Sequence, residues 1–431
     1  MDTQAKYVLI GNSAASLAAI DWIRKFDPQG PILLLNREKG VAYSRVALPY
    51  FVSGERTLES ILIRQKPDYD RLGVRLVEDA DVASIDPKAN AVKLRDGRTI
   101  GYEKLLVATG SETIVPPIQG LDQVPHHYLW TLEDAIGMKK AAERAKRALV
   151  IGGGFIGMLT TEALRKLRMN LTIVEMADQL MPQLLDAEGG KIFARAVQAS
   201  GVDLRLGSQV QSVARNGNSV AVRLKTGDVL ETDLLAVAAG VRPALGCVRD
   251  GSLKTNRGIV VDSHLRAGRP NVWAAGDVAE VGDFLSGEPV LHAIWPSAVD
   301  QGRIAGANMA GREIPYGGSL GMNVVGLFGV TLAEIGRFRE APSDSIDVTG
   351  SSTAAGRYRK VVIDPKGIMV GAMYLGDENG VAEMGVIHHA VKRREPWKNF
   401  VDGGQRPGAS YAAMFARVPQ GLPRAVKRPD A

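Results

Sequence analysis

The sequence predicts an α/β chain: two Rossmann-like units, the second inserted into the first, followed by a small α+β C-terminal domain. Three observations carry this reading. Two apolar strands each run through a tight turn of small residues into a helix, at residues 7–16 and 148–157. Much later a strand of small and apolar residues, Val272 to Ala275, ends in Gly276-Asp277. Beyond about residue 318 the pattern changes to short alternating strands and one helix.

The elements follow in order. Tyr7-Val8-Leu9-Ile10 is apolar throughout, as a strand buried on both faces must be. A helix then runs to about Phe26, and Pro31 to Leu35 gives the next strand, completing a βαβ unit. Residues 50–72 read as helical and amphipathic. Val74–Val77 and Ala91–Arg95 alternate like strands, with Asp96-Gly97 as a hairpin turn. Leu105 to Gly110 is a short buried strand ending in small residues. Pro116, Pro117 and Gly120 mark a boundary. A second βαβ unit runs from Ala148 to Glu175, with further strands near 203–206, 219–224 and 234–238. Gly240-Val241-Arg242-Pro243 closes that unit, and residues 244–318 return to the first one. The last region carries strands near 322–328, 358–364 and 367–374, then a helix over 379–393. The domains are therefore expected at 1–115 with 244–318, 116–243 and 319–400. The tail, 401–431, is rich in Gly, Pro and Arg and is expected to be partly extended or disordered.

Composition removes several function classes. The chain has 431 residues, 45% hydrophobic and 23% charged, as ordinary globular proteins do. No apolar run nears the ~20 residues of a membrane span. Met1-Asp2-Thr3-Gln4 leads into a strand with no basic segment or cleavage site, so the cytoplasm is the expected location. The net charge of +6 gathers partly in the tail at Arg417, Arg424, Lys427 and Arg428. A nucleic-acid role needs a basic face and a reading motif, and neither is present. The charge reads as solubility, or as mild steering of an acidic redox partner. The single cysteine, Cys247, excludes an internal disulfide or dithiol couple and is expected to be a buried small hydrophobe. His388 and His389 on the last helix read as a surface or interface pair. No Cys or His cluster has metal-ligand spacing, so no metal or iron–sulfur site is expected.

The chemistry sits in the two turns. In Gly152-x-Gly154-x-x-Gly157 the first glycine makes the turn and the second lets the backbone approach a pyrophosphate. The third lets helix pack on strand. The helix N-terminus offers free amides and positive potential to the phosphates. Phe155 and Ile156 complete this turn. Glu175, at the end of the next strand, suits ribose hydroxyls and would repel a 2′-phosphate, which favours NADH over NADPH. The first turn, Gly11-Asn12-Ser13-Ala14-Ala15-Ser16, puts serines in place of the later glycines. Both are small, and Ser13 can donate to a phosphate. After its second strand stand Asn36, able to bond ribose hydroxyls, and Arg37, able to lie over adenine.

With Val272-Trp273-Ala274-Ala275-Gly276-Asp277 added, the chain resembles the FAD-dependent pyridine nucleotide-disulfide oxidoreductase superfamily, whose fold is glutathione-reductase-like. The motifs cover about residues 5–400 in order. The resemblance implies that Ala108-Thr109-Gly110 ends the first part of an FAD domain. It implies that Gly240 and its neighbours end an NAD domain, and that Asp277 behind Gly276 reaches the ribityl chain and pyrophosphate of FAD. Val82 joins the FAD contacts it implies. It also implies that the helix opening at Trp295-Pro296 points its N-terminus at the pyrimidine edge of the flavin, where its dipole favours negative charge. Trp295 reads equally as core packing or as a flavin contact, and His292 as a weak candidate for one.

Ala42-Tyr43-Ser44-Arg45-Val46-Ala47-Leu48-Pro49-Tyr50 is similar to the stretch around the active-site cysteine of coenzyme A-disulfide reductases and NADH oxidases, but Val46 holds the cysteine position. No thiol there can attack a disulfide or trap a peroxide. The Tyr43-Ser44-Arg45 start resembles instead the flavoprotein portion of assimilatory nitrite reductases and the rubredoxin- and ferredoxin-reductase-like proteins. By that resemblance Arg45 is the catalytic candidate, favouring the anionic reduced flavin. Leu159 replaces a glutamate that the family places near the nicotinamide. The expected reaction is hydride transfer from NADH to FAD, with electrons passed on to a redox protein or a metal-containing partner subunit. A homodimer is a family expectation. Two other readings stand beside it: an NADH oxidase or small-molecule reductase using oxygen, a quinone or another organic acceptor, and a flavoprotein of structural or signalling role, motivated by Leu159.

Overall fold

The computed structural model describes residues 4–248, 250–339, 344–352, 356–378, 380–394, 396 and 424–427. Contacts divide the chain into two compact units, residues 1–113 with 241–320 and residues 114–240 with 321–431.

The first unit is built on an eight-stranded sheet. Its centre is parallel: Val272–Ala274, Thr99–Val107, Gln4–Ile10, Ile32–Leu35 and Val74–Val77 lie side by side in that order. Val8, Leu9, Leu34 and Leu35 are fully buried, which is why these strands read as unbroken apolar runs. Two helices, Ala14–Phe26 and Trp295–Met309, cross closely on this sheet. The crossing depends on glycine. A Cβ at Gly302 would lie 2.1 Å from the Ala15 carbonyl oxygen, and one at Gly306 would lie 2.4 Å from that of Ala19.

Two expectations are corrected in this unit. Residues 50–72 do not form one helix but fall in three short pieces, Leu48–Val52, Leu58–Ile61 and Lys66–Arg71. Gly54 takes φ +83° between the first two, Leu62 is extended after the second, and Thr57 caps the second by accepting from Ser60 N. Local turn and cap chemistry overrides the periodicity. An additional strand, Val82–Asp86, pairs with Ala91–Leu94, which in turn pairs with Thr99–Val107 across the expected Asp96-Gly97 turn.

The second unit holds a four-stranded parallel sheet, ordered Asp203–Arg205, Asn170–Val174, Arg147–Ile151 and Leu234–Val237, with the helix Phe155–Lys166 after Arg147–Ile151. Beside it lies an antiparallel sheet of Val210–Asn216, Ser219–Leu224 and Val229–Thr232. The same unit contains a six-stranded antiparallel sheet with the helix Gly380–Arg393. Its order is Met322–Leu327, Val330–Gly336, Met369–Gly376, Arg357–Ile363, Ile346–Ser352 and Arg424–Lys427. Sequence reading missed Val330–Gly336 and Ile346–Ser352. The first carries a buried carboxylate, Glu334, where a core strand should be apolar, and the second is largely polar. Lys360 ties this sheet to the helix Ala187–Ala199: its ammonium lies 2.9 Å from Asp347 and 3.3 Å from Asp186, the N-cap of that helix. Tyr358 also donates to Asp186, at 2.8 Å.

Cys247 is buried, and burial pushes its thiol up to about 11. His388 is half-buried and His389 exposed. Among the described residues no helix is long and apolar enough to cross a membrane, and no group of three or more His, Cys, Asp or Glu could hold a metal ion. Apart from Arg424–Lys427, the tail expected to be extended or disordered lies outside the described residues.

Candidate functional site

In the first unit three elements converge: the start of the helix Ala14–Phe26, the turn at Gly276-Asp277 and the start of the helix Trp295–Met309. A Cβ at Gly276 would stand 3.4 Å from the Ala15 Cβ and 3.7 Å from the Ala298 Cβ. Gly11 has φ +104°, and a Cβ there would sit 2.1 Å from the Ala108 carbonyl oxygen, so only glycine lets the first turn pass the strand end at Ala108-Thr109-Gly110. Ser13 is the N-cap, but no side chain caps the helix's first amides. Two buried donors at the same end, Asn12 Nδ2 and Ser16 Oγ, have no partner in the protein. Buried donors are ordinarily satisfied. Two orphans beside an uncapped helix N-terminus make an anion cradle, which fits the pyrophosphate of FAD.

Asp277 accepts a hydrogen bond from Ser111 Oγ at 2.6 Å. Burial pushes its carboxyl up, while Ser111 and the charge of Arg45 pull the other way. Arg45 pairs with Glu38, and its guanidinium stacks 5.3 Å from the Tyr43 ring. Burial works against that charge, but Tyr43, Glu38 and Asp277 outweigh it and push the guanidinium's pKa up. Arg45 and Asp277, from distant parts of the sequence, thus form one electrostatic centre. Val46 beside it is 59% exposed.

Other expected FAD contacts fall as follows. Asn36 uses its side chain on its own loop: Nδ2 donates to the Gly40 carbonyl and Oδ1 accepts from Glu38 N. The acid of this loop is Glu38, which also accepts from the Tyr43 hydroxyl at 2.6 Å. Sequence reading missed it by taking the first position after the strand; the signal was an acid closely followed by Tyr43 and Arg45. Arg37 is exposed, and Val82 is buried at a strand start. Ala14 is buried in the first helical turn. Thr109 Oγ1 donates to the Ala244 carbonyl, binding the strand end to the returning chain. Trp295 opens its helix, packs against the core and is followed by the exposed Pro296.

In the second unit the cradle is tighter. Gly152 has φ +106°, and a Cβ there would lie 2.3 Å from the Ala238 carbonyl oxygen. At Gly157 it would lie 1.9 Å from that of Gly152. At Gly154 it would meet nothing within 4 Å. So the first and third glycines are dictated by the protein, and the second faces open space. Gly154 is the N-cap of the helix Phe155–Lys166, again without a side-chain cap, so the amides at Phe155 and Ile156 lack a capping acceptor. Glu175 spans the cradle, accepting from Gly153 N at 2.5 Å and Ala177 N at 2.7 Å. Gly240, at φ +101°, turns the chain after Leu234–Val237 and accepts from Ile114 N. Leu159 is half-buried on the helix. Uncapped amides, an open second glycine and a strand-end carboxylate fit a pyridine dinucleotide.

The family model for pyridine nucleotide-disulphide oxidoreductases matches residues 5–310. The chain belongs to this family. It is an FAD-dependent oxidoreductase of pyridine nucleotides. It is 34% identical over 391 residues to the epsilon subunit of NADH-dependent phenylglyoxylate dehydrogenase from Aromatoleum evansii, covering 90% of this chain and 92% of that one. It is 30% identical to an NADH oxidase from Methanocaldococcus jannaschii, covering 72% of this chain and 71% of the relative. Among solved structures, a NAD-dependent persulfide reductase from A. fulgidus superposes with a TM-score of 0.86 at 25% identity, over 94% of this chain and 80% of that one.

Proposed function

We propose that this oxidoreductase takes a hydride from NADH onto FAD and passes the electrons to a redox protein or a metal-containing partner subunit, without a redox cysteine. The observation that carries this reading is Val46: an aliphatic side chain occupies the position beside Arg45 where a thiol would stand, and the one cysteine, Cys247, is buried elsewhere in the core. The relative that is a subunit of an NADH-dependent dehydrogenase, matched over nearly its whole length, supports a partner as acceptor.

When bound, FAD supplies two-electron chemistry with nicotinamide and one-electron chemistry with an acceptor. The residues do the rest. Gly11, Ser13 and the amides behind them hold the pyrophosphate, with Asn12 and Ser16 as further donors. Asp277, behind Gly276, accepts ribityl hydroxyls. Glu38 takes the ribose role expected of Asn36. Arg45 acts as a fixed cation, kept protonated by Tyr43, Glu38 and Asp277, and stabilises negative charge gained on reduction. The amides of the helix Trp295–Met309 add positive potential. Gly152, Gly154 and Gly157 with Phe155 and Ile156 hold the second dinucleotide. Glu175 selects NADH, because a 2′-phosphate beside a carboxylate is repelled. On this reading residues 1–115 and 244–318 form the FAD domain and 116–243 the NAD domain. Residues 319–400 then form a dimer interface, and the protein works as a cytoplasmic homodimer.

The test is acceptor dependence. Purified protein should consume NADH slowly in air and fast once an iron–sulfur protein or rubredoxin is added. Equal, fast rates in air with and without the protein acceptor would instead favour the NADH-oxidase reading that the archaeal relative supports.

A further inference from the structure

In the first unit one buried tyrosine joins the segment that carries Arg45 to the first cradle. Tyr69, 1% exposed, stands on the helix Lys66–Arg71 with its ring in the core. Its hydroxyl accepts from Ala42 N at 3.0 Å and donates to Asn12 Oδ1 at 2.9 Å. Ala42 precedes Tyr43-Ser44-Arg45, and its carbonyl accepts from Ile63 N, so the backbone there is held on both sides. Asn12 lies between Gly11 and Ser13, the N-cap of the helix Ala14–Phe26. Its Nδ2 is buried and has no partner in the protein. Ser16, fully buried in the first turn of that helix, has an unpartnered Oγ as well.

We propose that Tyr69 is a positioning residue: it fixes the side-chain amide of Asn12 with Nδ2 turned away from it, as a donor to the anion in the first cradle. Donor accounting sets the orientation. A backbone N–H can only donate, so the Tyr69 oxygen accepts from Ala42 and its single proton is left for Asn12. A side-chain amide can receive that proton only on its oxygen. Oδ1 therefore faces Tyr69, and both protons of Nδ2 lie on the far side. The reversed amide would leave the Tyr69 proton buried without an acceptor, which native proteins avoid. It would also turn an acceptor, Oδ1, toward an anion. The two bonds run in one direction, from Ala42 N through Tyr69 to Asn12, so each polarises the next and strengthens the donor at the end. A buried hydroxyl thus sets the sign of the dipole that Asn12 presents. The proposal rests on the reading that this cradle holds the pyrophosphate of FAD.

The test reads the FAD dissociation constant of the full chain freed of flavin, and the ³¹P shifts of the bound pyrophosphate. Asn12→Ala removes the donor and should raise Kd roughly 10- to 150-fold, the effect of one bond to a charged group. Tyr69→Phe should raise Kd and move the ³¹P signals when Asn12 is present, and should change neither further when Asn12 is already alanine. An equal effect of Tyr69→Phe with and without Asn12 is what a merely structural tyrosine would give, and it would overturn the proposal. Asn12→Asp is the control on the reading, because a carboxylate held beside a pyrophosphate should block FAD loading. If Asn12→Asp blocks loading while Tyr69→Phe keeps native Kd and ³¹P shifts, the cradle holds the pyrophosphate and the positioning role alone falls. If Asn12→Asp and Asn12→Ala both load FAD as the native chain does, the pyrophosphate lies elsewhere and the proposal falls with the reading. Should Tyr69→Phe not fold, the native chain decides. In protein labelled with ¹⁵N-asparagine, FAD should shift the Nδ2 signal of Asn12, and an unshifted signal would overturn the proposal.

Discussion

Two glycines of the second cradle should respond to the same substitution in opposite ways. Gly154 has ordinary backbone angles, φ −76° and ψ −173°, and a Cβ there meets no protein atom within 4 Å. Gly154→Ala should therefore leave the melting temperature of the nucleotide-free protein essentially unchanged. Its methyl group instead fills the space through which a pyrophosphate approaches the amides of Phe155 and Ile156. Losing one charge-assisted amide–phosphate bond costs about 1.5–3 kcal/mol, roughly a 10- to 150-fold rise in Kd for NADH. Gly157→Ala acts on the protein itself. Its Cβ would stand 1.9 Å from the Gly152 carbonyl oxygen, so strand and helix must part by more than an ångström, with overpacking costs of about 1–3 kcal/mol. That variant should melt earlier as well as bind NADH weakly. FAD occupancy should be unchanged in both, because the cradle proposed for FAD lies in the other unit. Calorimetry of the NADH-free proteins and an NADH binding titration check the pair. Native NADH affinity in Gly154→Ala would refute the reading that the second glycine faces the ligand.

Three further outcomes follow from other parts of the structure. Burial pushes the Glu334 carboxyl from 4.5 up to about 7, against the opposing bond from Asn323. The folded state then holds a proton that the unfolded chain releases, so the contribution of Glu334 to stability is greatest below about pH 4.5 and falls on the order of 3 kcal/mol as pH rises to about 7. Glu334→Gln should flatten this slope in urea melts across that window, and an unchanged slope would contradict the assignment. Glu175→Gln with Met176→Arg removes the carboxylate and adds a cation at a residue 69% exposed. It should shift the NADPH-to-NADH ratio of kcat/KM upward by roughly 10- to 100-fold, as one or two charge-assisted bonds would; an unmoved ratio would count against Glu175 at the ribose. Lys360→Met leaves Asp186 and Asp347 without their buried cation and should cost about 3–5 kcal/mol in denaturant unfolding, whereas a loss below ~1 kcal/mol would mean the cluster is hydrated.

Much of the fold was legible because its central strands are buried on both faces and its turns demand glycine. Gly11, Gly152 and Gly157 announce themselves in the sequence, since no other residue passes the carbonyls they face. Elements that mix burial with polarity were not legible. The strand Val330–Gly336 hides behind Glu334, and the 50–72 segment follows its caps rather than its period. At the site, sequence order pointed to Asn36, but the loop folds so that Asn36 braces the backbone and Glu38 meets Tyr43 and Arg45. Ser111 with Asp277, and Gln301 with Gly276, are meetings of distant segments that no local pattern encodes.

The most direct test of the account is an anaerobic titration of the FAD-loaded protein with NADH, followed by the flavin's visible absorption. The account predicts bleaching that is complete at one NADH per flavin. No bleaching by NADH, in a sample that dithionite still reduces fully, would contradict it.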